Sequence, residues 1–245
     1  MKLDRAFSDV KRAIAERQIW RVLAMRNFRH SYRRTFLGPI WHSIDQLLFT
    51  FSFALLRTLL FGGSFKESFA YVGVGIAVFS ALTQTTLTTL NSIVGSASLK
   101  NSGLSVTGRV ARDMLSVAIT FGFRITPLVV ALPLTGFPWT LTTLWVLPMT
   151  LLSMLGGLAV GLQLSIAYTR FRDLEPIISL ILRLAFFLSP VFWHPSAGTQ
   201  RAELARLTEW NLFAHYISIV RDPLLGEVPP STSVWIVVVF TALCL

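Results

Sequence analysis

Charge is scarce in this chain: 14% of its 245 residues are Asp, Glu, Lys or Arg, against about 25% in an average soluble domain. That shortage excludes a solvated enzyme domain, a disordered tail and a coiled coil. A single cysteine, Cys244, and four histidines exclude a disulfide scaffold and a cysteine-rich metal module. No Gly-x-x-x-x-Gly-Lys-Ser/Thr loop is present to cradle ATP phosphates, and neither His-Glu-x-x-His nor Gly-x-Ser-x-Gly occurs. The expectation is therefore no catalytic residue, no metal site and no cofactor within this chain. Acids are the scarcest charge, 12 against 22 bases, for a net +10. In a soluble chain that excess would point to nucleic acid; in an apolar one it reports membrane topology.

What is abundant is apolar. Hydrophobic residues make up 53%, with 19 Phe and seven Trp, and the mean hydropathy is +0.62. About 20 largely apolar residues are needed to cross roughly 30 Å of hydrocarbon. Five runs qualify: Ile40–Phe61, Phe69–Val94, Met114–Thr135, Leu141–Ala167 and Pro176–Trp193. A sixth starts at Ser231 and is still apolar at Leu245, so the last helix is expected to continue past that residue. No cleavable signal peptide is expected, because the N-terminus is charged and amphipathic.

The bases sort by loop. Lys2, Arg5, Lys11, Arg12, Arg17, Arg21, Arg26, Arg29, Arg33 and Arg34 precede the first run. Lys100, Arg109 and Arg112 follow the second run, and Arg170 and Arg172 follow the fourth. The opposite loops hold only Lys66, Arg201, Arg206 and Arg221. Fifteen against four is a strong positive-inside bias, which puts both termini in the cytoplasm. Arg57, Arg124 and Arg183 fall inside runs, as does Asp45. Arg57 and Asp45 are near run ends and can snorkel. Arg124 and Arg183 lie deeper, either paired inside the bundle or lining a passage for an anionic cargo.

Leu3, Phe7, Val10 and Ile14 occupy one helical face, with bases on much of the rest. Such a helix lies in the membrane interface or docks on a partner protein. Its phase slips at Arg17–Gln18, so a break before Trp20 is expected. A basic collar follows, Arg29-His30-Ser31-Tyr32-Arg33-Arg34, then the Gly38-Pro39 break and Trp41. These arginines either anchor the topology or meet a phosphate, whose oxygens match guanidinium forks. The cytoplasmic loops Ser96–Asp113 and Tyr168–Pro176 are too small for a catalytic domain; they merely connect spans or act as handles. In the second run Thr83, Gln84, Thr85, Thr86, Thr88 and Thr89 face a hydrated channel or another helix, being costly against lipid. Of the aromatics, Phe49, Phe51, Phe53, Phe121, Phe123, Phe186 and Phe187 either line a passage or pack. Gly157 and Gly161 suit close helix packing. After the fifth run, Leu204, Leu207 and Trp210 form one short apolar stripe and Phe213, Tyr216, Ile217 and Val220 another, fitting two helices dipped into the outer leaflet or a plain cap.

Three stretches together resemble the ABC-2 type permeases that export polysaccharides such as O-antigen. They are Ser31-Tyr32-Arg33-Arg34-Thr35-Phe36-Leu37-Gly38-Pro39-Ile40-Trp41; Phe171-Arg172-Asp173-Leu174 with Ser189-Pro190-Val191; and Asn211-Leu212-Phe213-Ala214-His215-Tyr216 with Arg221-Asp222-Pro223. The loop Leu99–Arg109 departs from the family in lacking Phe-Pro, and Leu212 stands where Pro usually follows the Asn. The resemblance implies an all-α membrane protein: an amphipathic interface helix within residues 1–39, then a six-span domain over 40–245 with short re-entrant helices between spans five and six. It implies coupling to an ATPase subunit through Lys100, Arg109, Arg112, Asp113, Arg170, Arg172 and Asp173. Tyr32, Arg33, Arg34 and Trp41 would meet the cargo headgroup, and Arg57, Thr85, Thr89, Arg124 and Arg183 are candidate channel-lining residues. It further implies a homodimer in a bacterial inner membrane, with two ATP-binding partners that hold ATP and Mg, moving a polyprenyl-pyrophosphate-linked polysaccharide and binding no nucleic acid. A teichoic-acid or capsule exporter, or a membrane anchor without transport, are the alternatives.

Overall fold

The computed structural model describes residues 2–33, 35–94, 104–137, 139–191, 193 and 208–245. Among them it has α-helices and short 3-10 turns and no strand. The α-helices are α1 (Lys2–Ala15), α2 (Arg17–Ser31), α3 (Trp41–Phe61), α4 (Phe65–Val94), α5 (Val106–Ala131), α6 (Val146–Tyr168), α7 (Leu174–Leu188), α8 (Leu212–Leu224) and α9 (Ser231–Cys244). The break expected near Arg17 falls at Glu16, between α1 and α2.

Four helical segments are long and apolar enough to cross a membrane: Gly38–Phe61, Phe65–Ile93, Val106–Thr135 and Leu141–Tyr168. Apolar side chains exposed along them include Leu48, Phe51, Leu55, Leu59, Leu147 and Leu151. A monomeric soluble protein rarely leaves contiguous apolar patches of such extent. Two further helices are apolar but shorter. The 15 residues of α7 rise about 22 Å, because Ser189 and Pro190 turn the chain before the expected end at Trp193. The 14 residues of α9 rise about 21 Å.

The bundle is built round α4, which touches α3, α5, α6, α7 and α8. Small residues make those approaches close. A Cβ on Gly161 would stand 2.6 Å from Thr89 Cβ and 2.7 Å from the Thr86 carbonyl, and one on Gly157 2.9 Å from the Leu82 carbonyl. The glycine pair therefore acts in packing, as its spacing predicts. On the α3 side, buried Gln46 donates to the Gly73 carbonyl at 3.1 Å and to Thr50 Oγ1 at 3.2 Å. Of the α8 apolar stripe, Tyr216, Ile217 and Val220 are buried against the bundle. Of the preceding stripe, Leu204 and Leu207 lie outside the described residues, and Trp210 is exposed.

Candidate functional site

Helix periodicity brings one face each of α3, α4 and α7 round a cavity of about 620 Å³. The α3 face contributes Asp45, Gln46, Phe49 and Phe53, and the α7 face Ser179, Leu182, Arg183, Phe186 and Phe187. Ile76, Phe79, Ser80, Thr83 and Leu87 come from α4, and α5 adds Arg124. The phenyl rings pack on one another. Phe186 lies edge-on to Phe53 at 5.5 Å, to Phe79 at 5.4 Å and to Phe187 at 5.4 Å, while Phe49 stacks on Phe53 at 6.4 Å. Offset and edge-to-face rings of this kind hold a stiff apolar wall.

The other end of the cavity is polar and adjoins the collar. Ser43 Oγ donates to the Phe123 carbonyl at 2.6 Å, so that turn of α5 is level with the first turn of α3. Arg124 there meets Asp45 at 3.6 Å. Beside them Tyr32 hydrogen-bonds His42, and Phe28 stacks on Phe123 at 5.9 Å. Arg124, deep in its apolar run by count, thus lies beside the collar, because the first turns of α5 run below the start of α3. Arg33 and Trp41 are exposed next to this end; Arg34 lies outside the described residues.

Of the candidate channel-lining residues, the structure brings Arg124 and Arg183 to the cavity and leaves three elsewhere. Thr85 and Thr89 are fully buried, their hydroxyls donating to the Ala81 carbonyl at 2.7 Å and the Thr85 carbonyl at 2.8 Å. That back-bonding satisfies the polar groups within α4 and lets the threonines pack on Gly157 and Gly161. Arg57 belongs to a cluster past the aromatic end. It donates to Ser68 Oγ at 2.8 Å and lies 4.8 Å from the Tyr71 ring, which Arg221 approaches to 3.9 Å. Arg221 also donates to the Pro190 carbonyl at 2.8 Å, and Tyr71 to that of Trp193 at 3.2 Å, tying α3, α4 and α8 to the turn after α7. Among the aromatics, Phe49, Phe53, Phe186 and Phe187 line the cavity, whereas Phe121 packs in a core with Ala77 and Ala81 and Phe51 meets Phe65.

At the opposite pole are the expected coupling residues. Arg170, Arg172 and Asp173 stand exposed on the turn between α6 and α7. Arg112 is buried and ion-paired to Asp113 at 2.6 Å, and Asp113 accepts from Ser92 at 2.5 Å, so this pair braces α4 against α5. Arg109 is half-buried on the same helix, and Lys100 lies outside the described residues. Sequence periodicity did not single out the residues that fasten these elements. Glu175 accepts from Asn91 at 2.9 Å and from Tyr168 at 2.8 Å, clasping α4, α6 and α7.

Asp9 accepts from the Thr107 amide at 2.9 Å and its hydroxyl at 2.7 Å, and Glu16 accepts from the Ser105 amide and hydroxyl, both at 3.0 Å. Both acids thereby cap the start of α5, where a negative charge is favoured by the helix dipole. The opposite face of α1, with Phe7, Val10 and Ile14, is exposed. Burial works to raise the pKa of the Asp9 carboxyl, but the Thr107 hydroxyl and amide outweigh it and hold the group below the usual carboxylate range. The Ser105 amide, with help from Arg12, does the same for Glu16. The visible signal was acids, Asp4, Asp9 and Glu16, in an otherwise basic stretch.

Residues 18–225 match the ABC-2 type transporter family. The chain belongs to that family. The match runs from α2 to just past α8, and so takes in the cavity, the collar and the cluster of Arg57, Tyr71 and Arg221. No individual curated protein matches the sequence. This ABC-2 chain is accordingly the membrane component of an ABC transporter, a permease. In this family ATP hydrolysis resides in a separate ATP-binding subunit, the typical partner. The apolar helices and the exposed turn with Arg172 and Asp173 are thus parts of a membrane-embedded permease.

Proposed function

We propose that this permease exports a lipid-linked, O-antigen-like polysaccharide outward across a bacterial inner membrane. The observation that carries the reading is the cavity itself: phenyl faces suited to the C–H faces of sugar rings, with Arg124 and Arg183 for anionic groups. The collar motif and the Arg221-Asp222-Pro223 segment, which resemble polysaccharide exporters, support the same cargo. Exposed Leu48 and Phe49 on α3 and Leu180, Ile181 and Leu184 on α7 flank the cavity and suit a second copy of the chain. A homodimer would enclose one passage between two such half-walls. On this reading six helices span, α7 and α9 included, and both termini are cytoplasmic, as the distribution of bases favours. ATP-driven closure of two partner subunits would push the turn with Arg170, Arg172 and Asp173 and the segment leading into α5. The helices then rock as rigid bodies.

Disrupting the gene is expected to strand completed polyprenyl-linked polymer on the cytoplasmic side, and the purified permease is expected to bring down an ATP-binding subunit. An unchanged surface polymer would overturn the cargo, and the chemistry of the stranded polymer separates O-antigen from capsule or teichoic acid. Absence of any ATP-binding subunit, with surface polymer unchanged, would favour a non-transporting membrane anchor.

A further inference from the structure

Beside the aromatic cavity is a second recess of about 310 Å³, lined by Ser80, Thr83, Gln84, Leu87, Thr88 and Arg124. Ser80, Gln84 and Thr88 recur every four residues and so form one stripe of α4. All three are half-buried, and their side chains make no hydrogen bond among the described residues. Thr83 differs, since its hydroxyl is spent on the Phe79 carbonyl at 3.0 Å. Idle donors in an apolar chain are costly unless something polar occupies the space they face. Arg124 adds a stronger demand. Its Nε is buried without a hydrogen-bond partner among the described residues, and Asp45 at 3.6 Å is beyond hydrogen-bond length. It is also the one cation that lines both the recess and the cavity among those residues.

We propose that Arg124 and the α4 stripe of Ser80, Gln84 and Thr88 seat a lipid-borne phosphate or pyrophosphate at the collar end of the passage. The proposal rests on the exporter reading for the source of the lipid. A guanidinium presents paired N–H donors that match phosphate oxygens, and two hydroxyls and an amide complete a donor set on the adjoining helix. Asp45 is the competitor. Its half-exposed carboxylate holds Arg124 loosely and can turn to water when a more highly charged group arrives. The exposed Arg33 then steers the headgroup, while Arg124 binds it.

The test is equilibrium binding of radiolabelled geranylgeranyl pyrophosphate to the full chain in phosphatidylcholine nanodiscs. Arg124→Gln should weaken binding about tenfold or more, since hydrogen bonds to a charged group are being removed. Arg124→Lys should recover part of that loss, and Asp45→Asn should tighten binding several-fold by removing the competitor. A purely structural Arg124–Asp45 pair would not give opposite signs for its two partners. Should Arg124→Gln fail to fold, the Asp45→Asn arm decides alone. Unchanged affinity in Arg124→Gln, or no tightening in Asp45→Asn, would overturn the seat. Loss in Arg33→Gln without loss in Arg124→Gln would also overturn it while leaving the exporter reading standing. Inorganic pyrophosphate competing as well as the prenylated probe would mean a free-anion site and overturn the lipid assignment.

Discussion

The docking of α1 can be broken with one atom-scale change at Asp9. Asp9→Ala removes the acceptor of both Thr107 bonds, and Asp9→Asn keeps an acceptor oxygen but removes the charge. Losing such a cap costs about 0.5–2 kcal/mol, and the charge at a helix start is worth about 0.3–1 kcal/mol of it. Local opening of α1 should therefore rise about two- to thirtyfold in the alanine variant and about two- to fivefold in the asparagine variant at neutral pH, the alanine variant always the more open of the two. Hydrogen exchange read by mass spectrometry over residues 7–15 (Phe7–Ala15), corrected for intrinsic rates, measures this directly.

The sign of the pH dependence follows from the depressed carboxyl. Its stabilisation is complete above the ordinary carboxylate value of 3.8 and is lost as pH falls through the lower value of the folded state. The wild type and the asparagine variant should thus converge on acidification, whereas the alanine variant stays the most open. Identical exchange in all three proteins at neutral pH would refute the claim that Asp9 holds α1 on α5.

Two further outcomes follow. Gly161→Ala places a Cβ 2.6 Å from Thr89 Cβ, whereas Gly122→Ala meets nothing within 4 Å. The first should destabilise by about 1–3 kcal/mol and the second by nothing or less than nothing, so equal melting temperatures would sink the close-packing account. Reversing both charges at Arg172 and Asp173 should leave insertion and ATP hydrolysis by the assembled transporter in place but stop export. Loss of insertion would instead make that exposed turn a structural element.

The long helices were legible because their apolar runs exceed what a soluble core helix needs, but their ends were not. The α5 run reads from Met114, yet the helix starts at Val106, where Ser105 caps it through the Gly108 amide; polar first turns are invisible to hydropathy. In the cavity, Phe49, Phe53, Phe186 and Phe187 were legible as candidates, while Phe51 and Phe121 needed coordinates to be turned away, since neighbours along a helix face different ways. The threonines of α4 mark the sharper limit. A run of hydroxyls reads the same whether it faces water or bonds back to its own helix. Thr85 and Thr89 do the latter, and the surface they leave is what Gly157 and Gly161 pack on. Two signals that looked independent in sequence, a polar stripe and a small-residue pair, are the two sides of one contact.

The same lesson applies to charge. On the proposed topology the bases would act as a group, because a positive-inside bias depends on their sum. Asp9 and Glu16 lower that sum slightly and carry a local structural role instead. Within a basic amphipathic helix an acid opposes the attraction to anionic lipid, so its presence needs a specific partner on the protein side. Here Asp9 and Glu16 find that partner at the start of α5, and the face with Phe7, Val10 and Ile14 stays exposed. Any displacement of the segment leading into α5 must then either carry α1 with it or break the Asp9 and Glu16 bonds. Under the proposed export mechanism, the two acids would therefore link movement of that segment to α1.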